Sequence, residues 1–384
     1  MRRIFDLALN HSDVVSLGLG EPDSATPAAI VEAGVAALRR GDTGYTDVPG
    51  LGELRSAVAR HLGRRYGVTY DPDTEIVITA GTTEGLFAAL TVLLDPGDEV
   101  LIPQPSFLSY VPSVSLVGGN PVTVATRVED RFEVAVTDLE TALTGRTKLL
   151  LLNYPNNPTG AVLGRSAARR VAAFLKRHDL LLISDESYDR LVYGTEHVCM
   201  ASVDGLRQRT LLLGGFSKAY AMTGWRLGYA AGPAELIAAL LRAHQYMVMC
   251  APSMAQQAAL RALAEGEESV ETMRRKYDRR RRLLVAGLDR LGLECCEPKG
   301  AFFAFPSVKN TGLSGEEFAE RLVEEERVLV VPGTLFGEAG HDFVRCSYSA
   351  STATIEEALV RIERFVSRLQ QAKAGKPQRV ELEN

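Results

Sequence analysis

A chain of 384 residues, 46% hydrophobic and 24% charged, is long for one core and short for three, which points to two domains. Its 43 basic and 48 acidic residues leave a formal charge of −5, without the basic surplus that nucleic acid or an anionic membrane surface calls for. No apolar run reaches the roughly 18 residues of a membrane span, and Ile4 to Asn10 is too short and too charged for a secretory signal. Cys199, Cys250, Cys295, Cys296 and Cys346 lack metal-ligand spacing, so reduced thiols, no metal and a cytoplasmic setting are expected.

In chain order, Val14 to Leu19 is a short extended piece broken by the loop Gly20-Glu21-Pro22-Asp23. Pro27 to Arg39 has helical spacing, with Thr26 as N-cap and Pro27 in the first helical position. A loop from Tyr45 to Leu51 precedes a helix over Leu54 to Tyr66. From there strands and helices alternate, the pattern of a mostly parallel sheet with right-handed crossovers.

The ends of the predicted strands carry the chemistry. Strand Glu75 to Thr79 runs into Ala80-Gly81-Thr82-Thr83 and a helix from Leu86 to Leu94, so the N–H groups of Gly81, Thr82 and Thr83 form an anion cradle or a simple capping turn. No Walker A or GxGxxG pattern is present. Glu99 to Ile102 is followed by a proline-stiffened loop bearing Phe107, which can stack on a flat heteroaromatic ring or merely pack. Asn120 to Val124 is a further strand, and Val136 to Leu143 a short helix. Lys148 to Leu152, apolar throughout, reads as a strand buried on both faces; it breaks at Asn153-Tyr154-Pro155-Asn156-Asn157-Pro158-Thr159-Gly160, a rigid loop that positions amides. Leu180 to Ser184 ends in Asp185-Glu186-Ser187-Tyr188, where Asp185 could equally be an N-cap.

Thr210 to Leu213 leads into GGFSKAYAMTGWRLGY, Gly214 to Tyr229, which places Lys218 on a turn at a strand's carboxyl edge, where open α/β sheets hold ligands. Gly214 and Gly215 permit a sharp turn, Ser217 and Thr223 supply hydroxyls, and Arg226 supplies a fork of donors suited to phosphate. A partly desolvated amine near other cations loses its proton and attacks an aldehyde, so Lys218 is a Schiff-base candidate, with a solvated lysine as the plain alternative.

Beyond it, Pro233 to Leu263 reads as a helical connector between domains, and Glu271 to Leu291 as a second helix with Met273, Tyr277, Leu284 and Leu288 on one face. The run Arg279 to Arg282 is expected to be a solvated helix side. His178, His197 and His244 have no partner at ligand spacing. Strands and helices alternate again over Ala301 to Pro306, Glu316 to Glu325, Val328 to Val331, Phe343 to Tyr348 and Thr354 to Leu369, with Arg345 on a strand and a polar tail after Gln371.

Taken in order, these motifs resemble the class I/II aminotransferases, pyridoxal-phosphate (PLP) enzymes of fold type I, in their aspartate and aromatic branch. The resemblance implies an α/β fold: a large domain with a mostly parallel seven-stranded sheet flanked by helices, and a smaller α/β domain built from both termini. It divides the chain into an N-terminal segment packing with the small domain (1–40), a large PLP-binding domain (41–280), a small domain (281–371) and the tail (372–384). It makes Lys218 the Schiff-base and proton-transfer residue, Asp185 the partner of the pyridine nitrogen, and Tyr188 and Asn157 those of the ring oxygen. Gly81, Thr82, Thr83, Ser217 and Arg226 would hold the phosphate, Phe107 would stack on the ring, and Arg345 would clamp the substrate α-carboxylate with Gly20 and Asn157 beside it. Tyr45 would reach the phosphate of the other subunit, which implies a homodimer.

Two positions depart from the common pattern: Phe107 lacks the polar edge of Trp or Tyr, and Gly215 stands where a serine often touches the phosphate, so a weaker phosphate grip is expected. The implied activity is ping-pong transamination from an L-amino acid, aspartate or aromatic, to a 2-oxo acid such as 2-oxoglutarate. Phe5, Leu17, Phe107 and Tyr110 would suit an apolar or aromatic substrate. A C–S lyase or another enzyme of the same scaffold, or a PLP-binding regulator without turnover, remain open alternatives.

Overall fold

The computed structural model describes residues 2–9 and 11–374. The side chain of Phe5 and residues 375–384, most of the expected tail, lie outside the described residues. The strands are β1 (Val15–Ser16), β2 (Ile76–Thr79), β3 (Glu99–Gln104), β4 (Asn120–Ala125), β5 (Thr147–Asn153), β6 (Leu181–Asp185), β7 (Thr210–Gly215), β8 (Gly228–Ala231), β9 (Phe303–Ala304), β10 (Val328–Leu329), β11 (Val331–Pro332) and β12 (Val344–Ser347).

Seven of them form one sheet in the order β2-β8-β7-β6-β5-β3-β4, parallel except for β8, which runs antiparallel to both neighbours. Alternate residues of the apolar strands enter opposite cores. Leu149 and Leu151 pack with the helices Thr82–Leu93 and Ala234–Val248, whereas Leu150 and Leu152 pack with the helix Arg165–Arg177. Burial on both faces is why these strands read as continuous apolar runs. The carboxyl ends of β2, β3, β5, β6 and β7 therefore share one edge of the sheet. Because β8 is reversed, its amino end at Gly228 lies on the same edge, which brings the preceding Arg226 there too.

A second core is built from both ends of the chain. Ile4 and Leu17 pack with Phe318, Leu322, Ile355 and Phe365. Its strands are the parallel pair β1-β10 and the antiparallel sheet β11-β12-β9.

The expected connector over 233–263 is corrected. That stretch is two helices, Ala234–Val248 and Ser253–Glu265, broken at Met249 (φ +65°) ahead of Pro252, which disfavours a helical residue before it. The bridge between cores is the 24-residue helix Glu267–Arg290, whose Val270 lies with the large-sheet helices and whose Tyr277, Leu284 and Leu288 lie in the second core. Its basic run is also corrected. Arg280 and Arg281 are buried, Arg280 against Asp23 at 2.9 Å and Arg281 between Asp278 and Glu297, while Arg279 and Arg282 alone face solvent.

Thr26 does not cap the following helix, Ala28–Arg40, in which Pro27 holds the cap position. Its hydroxyl donates instead to the Ala221 carbonyl at 2.6 Å and accepts from Trp225 Nε1 at 3.0 Å, so a long-range partner outcompetes the local one. Among the described residues no helix is long and apolar enough to cross a membrane, and no group of His, Cys, Asp and Glu could hold a metal ion.

Gly214 of β7 pairs with Tyr229 of β8, and a Cβ at 214 would sit 2.3 Å from the Tyr229 hydroxyl. Gly214→Ala is expected to lower unfolding free energy by about 1–3 kcal/mol through overpacking. A urea midpoint equal to that of the wild type would refute this account of the glycine.

Candidate active site

The shared strand edge opens into a cavity of about 440 Å³ lined by Gly20, Thr82, Thr83, Phe107, Asn157, Asp185, Tyr188, Ser217, Lys218, Arg226 and Arg345, all singled out in the sequence. Its charged residues are three cations, Lys218, Arg226 and Arg345, and one anion, Asp185.

One end suits an anion. Gly81 (φ +87°) precedes the helix Thr82–Leu93, whose amino end no side chain caps, so its leading N–H groups point outward with the positive end of the helix dipole. Arg226 packs there: a Cβ on Gly81 would lie 2.7 Å from its Nη2, so only glycine leaves room for the guanidinium. Arg226 is itself held in a left-handed conformation (φ +52°), with Nη1 donating to the Thr223 carbonyl at 2.8 Å. At Gly215 a Cβ would stand 3.2 Å from Thr82 Cγ2, so the missing hydroxyl coincides with a tight contact.

Asp185, the last residue of β6, lines the same cavity. Burial pushes its carboxyl up, and hydrogen bonds oppose that: Ser187 Oγ and N donate to Oδ1 at 2.5 and 3.1 Å, and Tyr110 O–H donates to Oδ2 at 2.7 Å. Behind it Glu186 meets His197 Nε2 at 2.6 Å and accepts from Ser184 Oγ at 2.8 Å, which fixes the strand end. Asn153 donates to the Asp185 carbonyl at 2.9 Å and accepts from the Asn157 N–H at 3.0 Å, tying this strand end to the next loop.

Lys218 lines the cavity as well, its Nζ donating to the Gly20 carbonyl at 2.6 Å. Burial, then the Arg345 charge, pull its pKa down to about 8. Arg345, on β12 of the second core, donates from Nη1 to Asn157 Oδ1 and from Nη2 to the Gly18 carbonyl, each at 2.9 Å. Its plane lies between Phe303 and Phe336, 4.4 and 4.9 Å from the ring centroids. Burial pulls it down to about 10, and its Nε is buried without a hydrogen-bond partner. Tyr188, its hydroxyl against Asn157, has its pKa raised by burial.

Over residues 12–362 the chain matches the family described as aminotransferase class I and II. The chain belongs to the class I and II aminotransferases. It is 44% identical over 369 residues to aromatic-amino-acid aminotransferase 2 of Thermococcus litoralis and 43% identical over 369 residues to an aspartate aminotransferase of Pyrococcus abyssi, with 95% of each chain covered in both cases. The structure of an aromatic aminotransferase from Pyrococcus horikoshii OT3 superimposes with a TM-score of 0.92 at 43% identity, covering 96% of this chain and 99% of that one. This aminotransferase is thus a transaminase with the fold type I architecture.

Three residues named in the sequence stand off the cavity wall: Leu17, expected to suit an apolar substrate, is instead fully buried in the second core with Phe318 and Ile355. Gly81 lies directly behind that wall, against Arg226, and Tyr45 is 84% exposed. Sequence reasoning missed Gly18, Asn153, the hydrogen bond of Tyr110 and the role of Ser187. Asn153 and Ser187 directly adjoin motifs already recognised, the only signal that could have found them.

In the cofactor-free aminotransferase the rate of Lys218 labelling by an amine-reactive reagent, followed by mass spectrometry, is expected to reach half its maximum near pH 8, because the neutral amine prevails above that value. Arg345→Gln removes a neighbouring cation and should move the midpoint up towards the ordinary 10.5. A wild-type rate still climbing steeply at pH 10 would contradict the depressed amine.

Proposed function

We propose that the cavity takes pyridoxal 5′-phosphate and transfers an amino group from an L-amino acid to a 2-oxo acid, with ping-pong kinetics. The observation that carries this is the convergence on one cavity of the Lys218 amine, an anion cradle with Arg226, the Arg345 fork and the hydrogen-bonded Asp185 carboxylate. The donor set fits such a cofactor. The Gly81–Thr83 turn, Ser217 and Arg226 would hold its phosphate, Phe107 its ring face, Asn157 and Tyr188 its ring oxygen, Asp185 its ring nitrogen, and the Lys218 amine its aldehyde carbon. When bound, the cofactor supplies the carbonyl that accepts the amino group and a ring that withdraws electrons from the substrate Cα.

The protein's own part is to bind, orient and move a proton. Arg345 offers a planar fork for the α-carboxylate, and Asn157 keeps that fork aimed. Lys218, neutral in a sizeable fraction near pH 8, takes the proton from the substrate Cα and returns it on the other side of the transfer. Asp185 keeps the ring-nitrogen proton in place.

Aspartate and aromatic amino acids are the proposed donors, with 2-oxoglutarate as acceptor, in line with the names of the relatives at 43 and 44% identity. The division proposed at the sequence level, 41–280 for the cofactor domain and 281–371 for the small domain, leaves Arg345 as the small domain's contribution. A soluble cytoplasmic homodimer is proposed, in which Tyr45 of a second copy completes the phosphate end.

Borohydride reduction of the cofactor-supplied protein is expected to fix a pyridoxyl label on Lys218. Lys218→Ala should take none and lose transamination by at least about 10²–10⁴-fold. Arg345→Lys should keep the label yet lose about ten- to a hundredfold in kcat/KM, since a point charge cannot replace the fork. An unlabelled wild-type protein would sink the proposed function. For the dimer, Tyr45→Phe should speed cofactor release without changing the sedimentation coefficient; an unaltered release rate would remove Tyr45 from the site.

A further inference from the structure

Ser187 stands in the stretch Asp185-Glu186-Ser187-Tyr188, where the resemblance gives tasks to Asp185 and Tyr188 but none to Ser187, yet it makes the shorter of the two side-chain hydrogen bonds to the Asp185 carboxylate. Its hydroxyl donates to Asp185 Oδ1 at 2.5 Å, its own N–H donates to the same oxygen at 3.1 Å, and the hydroxyl lies 3.4 Å from Thr82 Oγ1 at the anion-binding end. Tyr110 occupies the other carboxylate oxygen at 2.7 Å. Among the wall residues, Ser187 alone touches both the carboxylate and the cradle.

We propose that Ser187 is a positioning residue for the transamination reaction: its hydroxyl keeps the proton shared between Asp185 and the cofactor's ring nitrogen on the nitrogen. The inference rests on the cofactor reading above. The two states are a charged carboxylate beside a protonated ring, and a neutral carboxyl beside a neutral ring. Between them only the position of one proton changes. A donor on the carboxylate stabilises its charged form and weakens it as a base, which favours the first state. Burial favours the second, and the neighbouring Glu186 charge acts the same way. The Ser187 hydroxyl is the largest influence against them, ahead of Tyr110. A protonated ring is the stronger electron sink, so the position of this proton reaches the rate of proton removal from the substrate.

The experiment uses holoenzyme reconstituted with cofactor labelled with nitrogen-15 in the ring. In the wild type the ring resonance is expected at the position of a protonated pyridine. In Ser187→Ala it should move towards that of a neutral pyridine, with kcat lowered about tenfold and KM nearly unchanged. Ser187→Thr, which restores the hydroxyl, should return both the resonance and kcat towards wild type. Borohydride labelling of Lys218 in all three proteins reports an intact site. A labelled Ser187→Ala variant with an unmoved resonance overturns the role of Ser187 alone. Absence of the label from the wild type overturns the cofactor reading and this inference together.

Discussion

Like charge gathered around one half-buried cavity is the constraint on which the rest of the site depends. Lys218, Arg226 and Arg345 share one cavity with a single carboxylate, and at low dielectric such cations destabilise one another. The protein meets this in two ways. It lets the most easily deprotonated of the three, Lys218, fall to about 8, and it spreads the charge of Arg345 over Asn157, the Gly18 carbonyl and two aromatic faces. Anionic partners relieve the remaining repulsion, so a phosphate at one end and a carboxylate at the other suit the walls electrostatically before any shape is considered.

The three cations come from two distant parts of the chain, and the fold brings them together. Lys218 and Arg226 flank the turn into the one reversed strand of the large sheet, whereas Arg345 arrives from the core built by both termini. Beside the long bridging helix, the segment from Leu17 to Thr26 also ties the two bodies together. Leu17 accepts from the Ser347 N–H at 2.7 Å, Gly18 and Gly20 carbonyls hold Arg345 and Lys218, and Asp23 ties to Lys276 and Arg280 of the long helix, each at 2.9 Å. Thr26 ends it on Ala221 and Trp225. The pair between buried Arg280 and half-buried Asp23 is therefore costly to break from one side only, because it would leave a desolvated charge behind.

Most of this was legible in the sequence because glycine, proline and short polar residues mark strand ends by their backbone chemistry. The stretches around Gly81, Asn157, Asp185 and Lys218 all lie at the sheet edge where their turn residues placed them. What stayed hidden was decided by partners far away in sequence. Thr26 has the right identity for an N-cap, but its hydroxyl is claimed by a carbonyl 195 residues on. Arg280 and Arg281 read as solvated because helical period alone does not reveal that Asp23, Asp278 and Glu297 wait on the buried side. Asn153 and Ser187 went unread because neither residue type is distinctive. Their importance comes from lying on neighbouring strand ends beside Asp185, Asn153 at its backbone carbonyl and Ser187 at its carboxylate.

Substrate choice follows from the same charge count. In the proposed mode Arg226 serves the phosphate and Arg345 the α-carboxylate, while Lys218 must be neutral to act as a base. No further cation lines the cavity, and its apolar and aromatic wall is Leu19, Phe107, Leu108, Tyr110 and Tyr188. That wall favours an apolar or aromatic side chain through burial of area. A distal carboxylate has no counter-charge on it and, once desolvated, would need one supplied from beyond this chain's own cavity. In the proposed mode such a counter-charge would have to stand at the mouth of the cavity, where Leu19 is 51% exposed.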